Sequence, residues 1–125
     1  MQSIFHLHRA GLLCLAQCLL VLISWGQAGQ KALLTGPMVG HVSMRSAQLW
    51  IQTVGPSEVV AEYMTMGGGQ DQAWMATSPV QTDARSGHTA HITLANLEPG
   101  TAYRVKFKLN GKAINDVLEV STQVL

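Results

Sequence analysis

The stretch AYRVKFKLNG, residues 102–111, decides the fold class of this protein. Four apolar side chains alternate along it with three cationic ones: Tyr103, Val105, Phe107 and Leu109 with Arg104, Lys106 and Lys108. A period of two is typical of a half-buried β-strand, and a shift of one residue would bury the cations. Asn110-Gly111 follows at once and favours a two-residue hairpin turn. We therefore expect this strand to pair with the last strand of the chain.

The rest of the chain after residue 31 shows similar short apolar runs, separated by Gly, Pro, Asn and Ser, with no helical period. The strand candidates are Leu33–Val42, Ala47–Thr53, Glu58–Thr65, Ala73–Val80, Thr89–Leu94, Ala102–Leu109 and Val117–Thr122. Short strands at this spacing are typical of a β-sandwich. The sequence predicts an all-β protein with a single sandwich of about seven antiparallel strands over residues 31–123.

Length and charge limit the functions that are open to the chain. Its 125 residues suit one domain, and 8 Lys and Arg against 7 Asp and Glu leave a net charge of +1. Nucleic acids and anionic membranes bind clustered cations, so neither is expected as a partner. Membrane contact is expected only through an uncleaved N-terminal segment.

Residues 1–28 have the pattern of a signal peptide. A weakly basic start ending at Arg9 precedes an apolar run from Ala10 to Trp25, and Gly26-Gln27-Ala28 offers a small-x-small cleavage site. The alternative is a membrane anchor, but the run is shorter than the ~20 residues that span a bilayer. Without an Arg-Arg pair or a lipoprotein cysteine motif, general secretion to the periplasm or the exterior is predicted.

Candidate chemistry is sparse in the predicted mature region. The histidines there are His41, His88 and His91, and His88 and His91 would lie on opposite faces if both were in one strand. Gly67-Gly68-Gly69 lacks the following Lys-Ser or Lys-Thr of a phosphate loop. No serine elbow is present, and both cysteines precede residue 28. We assign no catalytic, cofactor-binding or metal-binding residue.

The segment from Asn96 to Tyr103, NLEPGTAY, resembles the corner signature of fibronectin type III-like sandwiches. In such a corner the chain turns between the two sheets, and the tyrosine hydroxyl bonds to backbone a few residues upstream. The residues that we assign to this structural corner are Leu97, Pro99, Gly100 and Tyr103.

Two segments near the start of the sandwich resemble the N-terminal domain of PhoD-like alkaline phosphatases. They are LTGPMVG at 34–40 and SAQLWIQT at 46–53. The resemblance implies that a metallophosphatase domain, which holds iron and calcium and hydrolyses phosphate esters, would follow in cis after Leu125. The chain would then be a piece truncated before that domain, with no cofactor of its own.

Trp50 and Trp74 are predicted to form a docking surface for that missing domain. Trp50 alternates with the apolar residues Leu49 and Ile51 and should point away from the core. The alternative is a stand-alone secreted binding module, in which Trp50, Trp74 and Tyr63 would make an aromatic platform for glycan, or loops would bind protein.

Overall fold

The computed structural model describes residues 32–69 and 72–125. The predicted signal peptide, residues 1–28, lies outside the described residues. Eight strands and a short 3-10 helix at Ala84–Ser86 follow one another along the described chain. The strands are β1 Leu33–Val42, β2 Ala47–Thr53, β3 Glu58–Thr65, β4 Met75–Ala76, β5 Val80–Gln81, β6 Thr89–Leu94, β7 Ala102–Leu109 and β8 Lys112–Ser121.

The strands form two antiparallel sheets. One has the order β1-β2-β6, and the other has the order β4-β3-β7-β8 with β5 also paired to β3. This is the predicted all-β, fibronectin type III-like sandwich, and the fold class is confirmed.

The core lies between the sheets and follows the alternation in the sequence. Tyr103, Val105, Phe107 and Leu109 of β7 are all buried, as are Ala47, Leu49 and Ile51 of β2. Each inward side chain of β7 lies beside an inward one of β3, with Ala61 opposite Phe107 and Val59 opposite Leu109. Burial of these side chains supplies the main driving force for folding. No disulfide adds to it within the described residues, because they contain no cysteine.

The hairpin that follows β7 has the predicted turn. Asn110 and Gly111 have φ values of 50° and 78°, the left-handed pair that a tight two-residue turn needs. The Asn110 side chain also accepts a hydrogen bond from the Glu58 backbone N–H at 2.9 Å. The turn therefore joins β7 to β8 and also fixes the start of β3.

Two predicted strands differ from the observed ones. Ala73–Val80 is not one strand, because only the two residues of β4 and the two of β5 pair with β3. Between them the Thr77 hydroxyl, instead of a backbone carbonyl, accepts the Ala61 N–H at 3.1 Å. The last strand begins at Lys112, well before the predicted Val117, and ends at Ser121. A register shift opposite β7 interrupts its alternation and hides the first half from pattern analysis.

Candidate docking surfaces

The corner residues come together at the start of β7. The Glu98 N–H donates a 2.8 Å hydrogen bond to the Tyr103 hydroxyl, and Tyr103 and Leu97 are both buried. Gly100 has a φ of 60°, and its N–H donates to the Gln123 carbonyl at 3.0 Å. These contacts fix the chain where it passes from one sheet to the other, as expected for a structural corner.

Trp50 lies on the outer face of the β1-β2-β6 sheet. It is half-buried and stands between Met38 of β1 and His91 of β6 in the strand pairing. None of the three strands contains an Asp, Glu, Lys or Arg. Met38 is 47% exposed, so part of this uncharged face is apolar surface open to solvent. We call it the Trp50 face; it consists of Met38, Gln48, Trp50, Gln52, Thr89, His91 and Thr93.

Trp74 lies over the outer face of the other sheet, in a charged environment. Its ring centroid is 4.0 Å from the Lys106 ammonium, a cation–π contact. Lys106 and Lys108 also bind the Glu62 carboxylate, at 3.2 Å and 2.7 Å. The hydrogen bond from Lys108, with a smaller effect from Lys106, outweighs burial and holds the pKa of Glu62 below its ordinary value. This face is a network of paired charges.

The three aromatic side chains considered for one surface are thus separated. Trp50 and Trp74 lie on opposite outer faces of the sandwich. Tyr63 is half-buried and packs edge-on against Tyr103, with ring centroids 6.3 Å apart. Neither a single docking surface from both tryptophans nor an aromatic platform from all three is assembled. The alternation of side chains along β2 predicted the outward direction of Trp50. Trp74 precedes β4, so no strand register predicted the face on which it lies.

The histidines do not form a metal site in the described part of the chain. His88 precedes β6 and has a φ of 57°, so it is not in the same strand as the exposed His91. Within residues 32–69 and 72–125, no three His, Cys, Asp or Glu side chains are grouped so that they could hold a metal ion.

No helix among the described residues is both long and apolar enough to cross a membrane. The fold and surfaces define a fibronectin type III-like sandwich with one uncharged and one charged outer face.

The chain belongs to the family described as Domain of unknown function (DUF7800), whose model matches residues 30–122. A search of curated protein sequences finds no match.

Solved structures show where similar sandwiches occur. The structure of PhoD matches with a TM-score of 0.64 and 16% identity over 80% of this chain, but the match spans only 21% of PhoD. The sensor domain of the anti-sigma factor RsgI4 from Pseudobacteroides cellulosolvens matches over 78% of this chain and 100% of its own, with a TM-score of 0.58 and 13% identity. A computationally redesigned β-sandwich protein has a TM-score of 0.51 and 17% identity, over 73% of this chain and 94% of its own. At these identities the similarity establishes the fold.

Proposed function

We propose that the chain is the non-catalytic N-terminal domain of an exported PhoD-like alkaline phosphatase or phosphodiesterase. In this role it packs against a metal-dependent catalytic domain and supports it. The uncharged Trp50 face is the observation that carries the proposal. The sequence resemblance over residues 34–40 and 46–53 and the fold shared with part of PhoD agree with it.

The two outer faces of the sandwich differ in the free-energy cost of removing them from water when a partner covers them. Covering the Trp50 face removes apolar surface from water and desolvates no formal charge, because β1, β2 and β6 contain none. Covering the Trp74 face would remove the charged groups of Glu62, Lys106 and Lys108 from water. The attraction between these charges compensates only partly for the cost of that desolvation. Methionine and tryptophan are also enriched at interface cores. The Trp50 face is therefore the proposed docking surface.

The chemistry in this proposal belongs to the catalytic domain. Iron and calcium would be bound there, and the sandwich would contribute only a rigid contact surface. Export through general secretion would place both domains in the periplasm or outside the cell.

Mixing the full chain with a PhoD-like phosphatase that lacks its own N-terminal sandwich tests the proposal. We expect a complex that can be measured by titration calorimetry and a slower thermal loss of phosphatase activity. Trp50→Ser should weaken binding about 30-fold or more, the loss typical of a central interface tryptophan. Trp74→Ser on the opposite face is the matched control and should change binding less than about threefold. Absence of binding, or equal losses in the two variants, would rule out docking through the Trp50 face.

The second candidate is a stand-alone binding module for glycan or protein. It is favoured by the RsgI4 sensor domain, since a sandwich of this kind there matches over its whole length. For this role the full chain should bind an immobilised glycan or protein panel without any phosphatase domain. Retention by the panel that is lost with Trp50→Ser, together with no phosphatase complex, would favour the module.

A further inference from the structure

The edge of β6 that faces away from β2 has open backbone groups. The Thr53 N–H donates to the His88 carbonyl at 2.9 Å, and these two residues are in the register of the β2–β6 ladder. In an antiparallel ladder, alternate residues bond to the same neighbour, so Ala90, Ile92 and Leu94 turn their backbone groups toward β2. The N–H and C=O groups of His91 and Thr93 then point away from it. Among the described residues, none of these four groups has a backbone partner.

A groove runs beside this edge. It has a volume of about 460 Å³, with β6 and the residues after it on one side and Tyr63 and the segment 76–80 on the other. The lining contains no Asp, Glu, Lys or Arg; it consists of Tyr63, Ala76, Thr77, Ser78, Val80, His91, Ile92, Thr93, Ala95 and Asn96. The open backbone groups of His91 and Thr93 therefore border an uncharged groove.

The other sheet edges described carry features that discourage strand addition. β1 contains Pro37 and three register irregularities, and β4 and β5 have two residues each. β8 carries Lys112, Asp116 and Glu119 and a register shift. Proline, bulges, charges and short length are the usual protections of edge strands. β6, with the sequence TAHITL and an unbroken register against β2, has none of them.

We propose that the β6 edge binds an extended, uncharged polypeptide segment of a partner protein, which lies in the groove as an added strand. The backbone groups select this class of ligand, because an extended polypeptide presents donors and acceptors at the spacing of a strand edge. The absence of charge in the groove favours a segment without Lys, Arg, Asp or Glu. A second copy fits less well, since its β6 would bring its own 76–80 segment against this one. Binding of such a segment at the β6 edge does not require a phosphatase domain.

Amide hydrogen exchange of the full chain, followed by NMR, tests the open edge directly. We expect the His91 and Thr93 amides to exchange quickly and those of Ala90 and Ile92 to be protected by β2. The probe is the capped peptide Ac-AQLWIQT-NH2, the sequence of β2, which is uncharged and already pairs with β6. Excess peptide should slow exchange at His91 and Thr93 at least tenfold. The same peptide with alternate amides N-methylated should do so less, because it lacks the donors.

Paired variants separate an edge effect from a general charge effect. Thr93→Lys places a charge on the edge, whereas Gln48→Lys places it directly opposite, on the central strand β2. Thr93→Lys should weaken peptide binding at least tenfold, and Gln48→Lys should weaken it less than threefold. His91→Pro, which removes an edge donor but no β2 bond, should act like Thr93→Lys.

Three results would overturn the proposal. One is protection of the His91 and Thr93 amides before any peptide is added, independent of protein concentration, which would mean that the chain covers its own edge. Another is protection that rises with protein concentration, which would mean that a second copy is the occupant. The third is no change at either amide when the peptide is at millimolar concentration.

Discussion

Replacement of Tyr103 by phenylalanine isolates the hydroxyl of the corner. The ring is buried and would remain in place, including its edge-on contact with Tyr63 at 6.3 Å. The change removes the 2.8 Å hydrogen bond from the Glu98 N–H. A net hydrogen bond contributes about 0.5–1.5 kcal/mol, and a buried donor left unpaired costs about 1–3 kcal/mol. Because Glu98 is an exposed residue, water can reach the freed N–H, and we expect a loss of about 1 kcal/mol.

Urea unfolding followed by tryptophan fluorescence measures this loss. For a domain of this size, about 1 kcal/mol corresponds to a fall of roughly 4–8 °C in the melting temperature. Tyr63→Phe is the matched control: its hydroxyl has no hydrogen bond within the described part of the chain, so its removal should change stability by less than about 0.5 kcal/mol. Equal effects of the two variants, with unchanged m-values, would refute the assignment of the corner bond as a stabilising contact.

Three further predictions use the same unfolding measurement. Gly36→Ala should lower stability by about 1–3 kcal/mol, because Gly36 has a φ of 89° and a Cβ there would lie 3.0 Å from a backbone carbonyl oxygen. In the control Gly55→Ala the added Cβ meets nothing within 4 Å, so stability should be nearly unchanged. Equal losses in the two variants would contradict this prediction. Thr82→Val should cost about 1–3 kcal/mol, since the buried Thr82 hydroxyl accepts a backbone N–H at 2.9 Å; a neutral result would contradict it. The pKa of Glu62 is depressed from its ordinary value of 4.5, chiefly by the hydrogen bond from Lys108, so its stabilising contribution is present above that ordinary value and is lost as the pH falls through the depressed pKa. Glu62→Gln should therefore be less stable than the parent near neutral pH but lose less stability on acidification, and parallel pH profiles would contradict this.

Regular alternation made most of the sandwich predictable from sequence. In β2 and β7 every second side chain is buried, so the sequence determines both the strand and its inner face. The Asn110-Gly111 turn then determines which strand follows and how it pairs. Where pairing depends on a side chain or a bulge, as at Thr77 and in the first half of β8, no periodic signal exists and the predicted bounds were wrong.

The surfaces were less predictable than the strands because they depend on which sheet each segment joins. Alternation gave the outward direction of Trp50, but it did not give its neighbours Met38 and His91, which come from distant strands. Trp74 is placed by its contact with Lys106 rather than by a strand register. The groove beside β6 is formed by segments on both sides of the sandwich, and no local pattern in the sequence indicates it.

His91 connects the two proposed contacts. Its side chain belongs to the Trp50 face, because it lies opposite Trp50 across the ladder, whereas its backbone groups point to the open edge. A catalytic domain that covers the Trp50 face would therefore reach the rim of the groove, and one of its extended segments could occupy the β6 edge in the same complex. In that arrangement Ser78→Lys, which places a charge in the groove but outside the Trp50 face, should weaken both peptide binding and the phosphatase complex, whereas Trp50→Ser should weaken only the complex. If Ser78→Lys instead weakens peptide binding and leaves the complex unchanged, the groove and the Trp50 face serve different partners.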